Sequence, residues 1–181
     1  MRPNGSPLDF ASITDIRMTA VRARPEYTLT LEPYGRITRY AKQTELDSDN
    51  VFVNASGTRR FERHRLDGSF RYQQETTLTT ERTDSGNLER NLQRTLMGGD
   101  ASWQYFLSSV LSVTASGGMT DVKFEKTLSA QFVDYRQSNA ALNVEYEFSE
   151  ATSVFMRPAV SRFETPDLMS ETVSYTYQLG F

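Results

Sequence analysis

The sequence predicts an all-β chain, its antiparallel strands running up and down as a transmembrane β-barrel. Three observations predict this. Apolar and polar residues alternate with a period of two along most of the chain, the spacing of a strand with one apolar and one wet face. Tight turns near Pro25, Arg60, Leu107 and Glu150 alternate with longer polar loops near Leu46, Arg82, Ser129 and Asp167, the loop asymmetry of outer-membrane barrels. Large aromatics gather at strand ends beside the tight turns: Tyr27, Trp103, Tyr105, Tyr146, Phe148 and Phe181. That is the placement of an interfacial girdle, with Phe70, Tyr72 and Phe163 expected as its outer counterpart.

Composition narrows the function classes. A net charge of -3 argues against a nucleic-acid partner, which selects a basic footprint. The chain has no cysteine, which excludes disulfides and thiolate metal sites. No run approaches the roughly 20 apolar residues of a membrane helix. Residues Met1 to Pro7 lack the apolar core of a secretory signal, so a barrel implies a removed signal or a piece of a longer chain.

Taken in order, residues 1–13 read as an N-terminal arm or remnant strand and residues 14–181 as the barrel. Ile16, Met18 and Ala20 begin a first strand that stops at Pro25. Tyr27, Leu29, Leu31 and Ile37 share a face of the second, which runs to Tyr40. The third sets Val51, Val53 and Ala55 against Phe52, Asn54 and Ser56, and the fourth sets Leu66, Phe70 and Tyr72 against Asp67 and Arg71. A polar stretch from Gln74 to Asn91 leads to a fifth, with Met97, Ala101 and Trp103 on one face. Leu111, Val113 and Ala115 mark the sixth, and a loop is expected from Thr120 to Asp134. Leu142, Val144, Tyr146 and Phe148 alternate with Asn143, Glu145 and Glu147 in the seventh. Val154, Met156 and Val160 form the eighth, then a loop from Glu164 to Glu171 precedes Val173, Tyr175, Tyr177, Leu179 and Phe181. About nine strands are therefore visible, whereas bacterial single-chain barrels have even counts. The expectation is either an absent upstream strand or a tenth, degenerate one within Ser6 to Ser12.

The alternation sorts side chains into two sets. Tyr27, Leu29, Leu31, Phe70, Tyr72, Trp103, Val144, Tyr146, Phe148, Tyr175, Tyr177, Leu179 and Phe181 form the expected lipid-facing band and girdle. Arg17, Glu32, Arg36, Asp67, Arg71, Asp100, Asn143, Glu145, Glu147 and Arg157 form the expected lumen lining. Both charge signs occur there, so a salt-bridged filling of a narrow lumen is expected over an open channel.

Catalytic, cofactor and metal sites are not expected. His64, the single histidine, reads as a solvated turn residue, because metal and triad sites need several partners. Arg59, Arg60, Arg63 and Arg65 read as a hydrated turn that touches anionic headgroups rather than as a dedicated phosphate site. Asp47-Ser48-Asp49-Asn50 opens like a calcium loop but lacks the glycine and the closing glutamate. Gly98-Gly99 and Gly117-Gly118 fall in strands, where glycine marks a bend or a close approach. The alternative to a membrane protein is a soluble up-and-down barrel holding a small apolar ligand. It needs the same alternation with the apolar face turned inward.

From Tyr27 onward the chain resembles the repetitive outer-membrane β-barrel proteins of bacterial exopolysaccharide (PEP-CTERM-type) gene clusters. The residues that carry the likeness are Tyr146-Glu147-Phe148-Ser149-Glu150-Ala151-Thr152, Asp134-Tyr135-Arg136, and Ser161-Arg162-Phe163-Glu164-Thr165-Pro166-Asp167. Val173 to Phe181 looks like the terminal strand that barrel-assembly machinery reads. The two-faced strands, loop asymmetry and girdle point to a non-enzymatic, porin-like scaffold or narrow pore in the bacterial outer membrane, and the resemblance implies a barrel of the cell envelope linked to polysaccharide secretion. Its implied partners are membrane lipid, the assembly machinery and polysaccharide-export components.

Overall fold

A computed structural model of the chain describes residues 10–76, 92–125, 132–149 and 151–181. It is built almost wholly from antiparallel strands in one sheet. The strands are β1 (Ala11–Arg17), β2 (Ala20–Arg24), β3 (Tyr27–Tyr40), β4 (Ser48–Arg60) and β5 (His64–Thr76), then β6 (Gln93–Phe106), β7 (Leu111–Phe124), β8 (Tyr135–Ser149), β9 (Thr152–Thr165) and β10 (Ser170–Gly180). Each strand from β3 onward pairs with the next in sequence, an up-and-down meander.

The first rung explains how nine visible strands become ten. β1 and β2 both pair with β3, Ala11 to Arg17 against Tyr40 to Tyr34 and Ala20 to Arg24 against Leu31 to Tyr27. They are one rung interrupted opposite Pro33. Proline has no N–H to give to a ladder, and only Met18 N to Pro33 O, at 3.1 Å, bridges the gap. The tenth strand is thus a break in the first rung, not an added rung. It also starts at Ala11, inside the stretch expected to be an arm. Pro158 does the same to the β8–β9 ladder, whose pairing skips from Ala141–Ala159 to Val144–Met156.

The antiparallel up-and-down pattern is as expected, and the sheet is not closed into a barrel. Among the described residues, β1 and β2 pair only with β3, and β10 only with β9. β1 and β10 both run from the long-loop end to the short-turn end. A direct seam between them would be parallel, and an antiparallel seam needs a strand running the other way.

Strands exceed their predicted lengths mostly at the long-loop end. β7 continues to Phe124, through residues expected to be loop, and β8 begins at Tyr135. The expected loop at Glu164 to Glu171 shrinks to a 3-10 turn, Pro166–Leu168, closed by Met169 in the left-handed region at φ 48°. The expected loops near Arg82 and Ser129 lie outside the described residues.

The described residues form no interior hydrophobic core beneath this sheet. Leu92 and Val122 are the only buried hydrophobics among the described residues. Leaving a large apolar side chain in water forgoes about 1.5–3 kcal/mol relative to burying it. The ladders hold the sheet together, and its apolar face has no partner among the described residues.

Candidate functional site

The surfaces that matter are the two faces of the sheet and its two rims. Register shows which side chains share a face. A single row runs Tyr27–Arg59–Leu66–Trp103–Ala115–Leu142 through successive strand pairs. Another runs Ala55–Phe70–Gly99–Met119. Pairing parity puts Tyr27, Leu29, Leu31, Phe70, Tyr72, Trp103, Val144, Tyr146, Tyr175, Tyr177 and Leu179 on this one apolar face. Phe148 follows Tyr146 into the β8 bulge and meets its ring edge-on at 4.7 Å. Phe181 lies one residue past β10. The apolar face is open: Tyr175 is 70% exposed, Tyr177 79% and Leu179 80%.

Charge appears on this face mainly at its ends. On β7 the apolar positions run from Leu111 to Met119, about the nine to eleven residues that cross a bilayer, and the next position is Asp121. Asp121, Arg136, Glu164 and Glu171 are in register across four strands. Arg136 Nε lies 3.2 Å from Asp121, and Arg162 Nε lies 2.5 Å from Glu164 and 2.9 Å from Glu171. Farther round the rim, Arg39 Nη1 lies 2.7 Å from Asp49. The long-loop rim is therefore a belt of satisfied ion pairs. Sequence reading missed it because two of its segments were expected to be loop.

At the short-turn rim the aromatics stack. His64 begins β5 opposite Tyr105 and stacks on it at 4.8 Å and on Trp103 at 5.8 Å. This corrects the expected solvated turn. Of the four arginines near this turn, Arg59 takes the apolar face and rests over Phe61 at 4.6 Å. Arg65 turns to the opposite face and pairs with Asp67. The outer girdle also needs correcting. Phe70 sits mid-strand, and Phe163 has the parity of the polar face, where it stacks on Tyr135 at 5.6 Å.

All ten residues expected to line a lumen share the opposite, polar face: Arg17, Glu32, Arg36, Asp67, Arg71, Asp100, Asn143, Glu145, Glu147 and Arg157. Burial concentrates on this side. Asn50 is 2% exposed, Glu75 5% and Val122 0%, and all three carry its parity. The sheet curls around its polar face.

Ion pairing covers only part of this lining. Asp15 accepts from Arg36 Nε at 2.7 Å and from the Tyr34 hydroxyl at 2.9 Å, while Arg17 lies over the Tyr34 ring at 5.0 Å. Asp67 accepts from Thr58 at 2.8 Å, and Glu75 holds Arg94 at 2.7 Å. Among the described residues Glu32, Arg71, Glu145, Glu147 and Arg157 form no ion pair. The expected salt-bridged filling is present in part over β1–β6, as Arg36–Asp15, Arg65–Asp67 and Arg94–Glu75, and among the described residues absent over β8–β9. Between the two lies a trough of about 400 Å³ lined by Ser56, Thr58, Asp67, Asp100, Ser102 and Asn139. Gly118 lets the Asp100 carboxylate and the Asn139 amide lie close over the strand beside it, since a Cβ there would run into both.

The residues of the calcium-like stretch are occupied otherwise. Asp47 Oδ1 accepts from Tyr40 N at 2.7 Å, Asp49 pairs with Arg39, and Asn50 Oδ1 accepts from Thr76 N at 3.1 Å. Asp134, in one of the family-like junctions, accepts from Phe124 N at 2.8 Å and closes the end of β7. No family model, curated protein or solved structure matches the chain.

Proposed function

We propose that the chain forms the wall of an outer-membrane β-barrel, a non-enzymatic scaffold or narrow pore. The observation that carries the reading is the curl of the sheet around its polar face, which leaves rows of apolar side chains outward with none of the described residues to cover them. Hydrocarbon removes the penalty that water exacts on such a face. The length of the apolar band, the ion-paired rim above it and the stacked aromatics below it support the same reading.

The soluble alternative needs Leu142, Val144 and Tyr177 inside and Arg71 and Glu145 outside, a curl of opposite sense. The association with exopolysaccharide export rests on the resemblance of the three junctions alone. Under this proposal the open trough over Asp67, Asp100 and Asn139 is the part of the lining through which a polar solute passes.

Extraction in detergent followed by gel migration with and without heating tests the membrane reading. The expected outcome is detergent-dependent solubility and a heat-modifiable band. A monodisperse monomer without detergent overturns it.

A further inference from the structure

The apolar face carries one group of charges without an ion-pair partner among the described residues. Arg22 and Arg24 of β2 and Arg59 of β4 flank Tyr27 and Leu29 of β3, in register: Arg24–Tyr27–Arg59 in one row, Arg22–Leu29–Gly57 in the next. None of the three forms an ion pair with a described carboxylate. Arg22 lies over the Tyr27 ring at 5.7 Å and Arg59 over Phe61 at 4.6 Å, so aromatic faces hold both guanidinium groups. The contrast with the opposite rim is sharp, where each described arginine of this face has its carboxylate.

Immediately toward mid-strand from these arginines the apolar face is hollow. Two adjoining grooves, of about 570 and 650 Å³, run over Gly57 and Gly68 between Leu29 and Leu31 on one side and Leu66 and Phe70 on the other. A cationic mouth on an apolar furrow fits an amphiphile with an anionic head.

We infer that Arg22, Arg24 and Arg59 with the furrow over Gly57 and Gly68 seat one anionic glycerophospholipid, its phosphate among the guanidiniums and an acyl chain along the furrow. Charge complementarity selects the head, because planar guanidinium forks match phosphate oxygens. Direction follows from the fold, for the arginines stand at the short-turn end. The seat rests on the membrane reading above.

Trp103, the single tryptophan, lies two strands from Arg59 in the same row, about 10 Å away across the sheet, and reports on the seat. The full chain is placed in phosphatidylcholine vesicles containing a small fraction of brominated phosphatidylglycerol or brominated phosphatidylcholine, and Trp103 quenching is measured. Phosphatidylglycerol is expected to quench with about fivefold higher relative affinity at low salt. The triple substitution R22Q/R24Q/R59Q should bring that ratio to near one. Gly68→Leu should lower it as well, by filling the furrow without touching a charge; a Cβ at Gly68 meets only Asp100 O at 3.8 Å. A ratio near one in the native chain, or one that survives either variant, overturns the seat while leaving the membrane reading intact. A preference erased by inorganic phosphate identifies a free-anion site and also overturns it. Quenching by neither lipid defeats both readings.

Discussion

Trp103 Nε1 donates a hydrogen bond to His64 Nδ1 at 3.1 Å across the β5–β6 ladder, and the two rings stack. The chain's single tryptophan and single histidine thereby form one unit at the short-turn rim. An interfacial aromatic that is both stacked and hydrogen-bonded holds its strand end in a fixed orientation.

Replacing His64 tests that coupling. His64→Ala removes the acceptor and the stack and should cost about 1 kcal/mol, the scale of a cross-strand aromatic pair. His64→Phe keeps the stack alone and should cost roughly half as much. Urea unfolding in micelles, followed by Trp103 fluorescence, reads both. Equal losses would show that stacking contributes nothing.

Neighbouring positions on opposite faces separate lipid from water. Leu142→Arg places a charge in the middle of the apolar band and should cost about 2–4 kcal/mol in a bilayer. Asn143→Arg, one residue on and facing the polar side, should stay within about 1 kcal/mol. Folding equilibria in phosphatidylcholine vesicles give the comparison, and indistinguishable costs speak against membrane contact at Leu142.

Glu75 and Arg94 are register partners on the polar face, with side chains 6% and 20% exposed. The Nε of Arg94 has no hydrogen-bond partner among the described residues, so this guanidinium depends on the carboxylate. Glu75→Gln should cost about 2–3 kcal/mol, because it leaves a largely buried charge without its counterion. The loss should appear in the denaturation midpoint, and a shift no larger than that of an exposed pair contradicts the assignment.

Asp15 ties the edge strand β1 to β3 through Arg36 and Tyr34. Both partners of the ion pair are well exposed, which limits its effect on global stability. Asp15→Asn should instead loosen the edge locally. Amide exchange over Ala11–Arg17 should quicken while β5–β8 keep their protection, and a uniform change across the sheet would show that the tie is not local.

How much of this was legible in the residues depends on the kind of information involved. Leu142, Val144 and Tyr146 alternating with Asn143, Glu145 and Glu147 assign two faces unaided, because side chains alternate along any strand. The tight turns after Arg24, Arg60 and Phe106 were equally readable from strand endings. The ionic belt was hidden, since Asp121, Arg136, Glu164 and Glu171 are distant in sequence and become a row only through register. Phe163 is expected in the girdle from its place near a strand end, whereas its pairing with Gln137 gives it the parity of the polar face.

The up-and-down antiparallel pattern and the division of side chains into an apolar and a polar set were already written in the order of the residues. Both follow from a period of two, which is a local property of extended backbone. Only the tertiary structure decided the direction of curl, the interruption of the first rung opposite Pro33, the open edges and the gathering of Arg22, Arg24 and Arg59 around one furrow. Those depend on which residues lie opposite one another across the ladders, and hydrogen-bond register between distant strands sets that pairing.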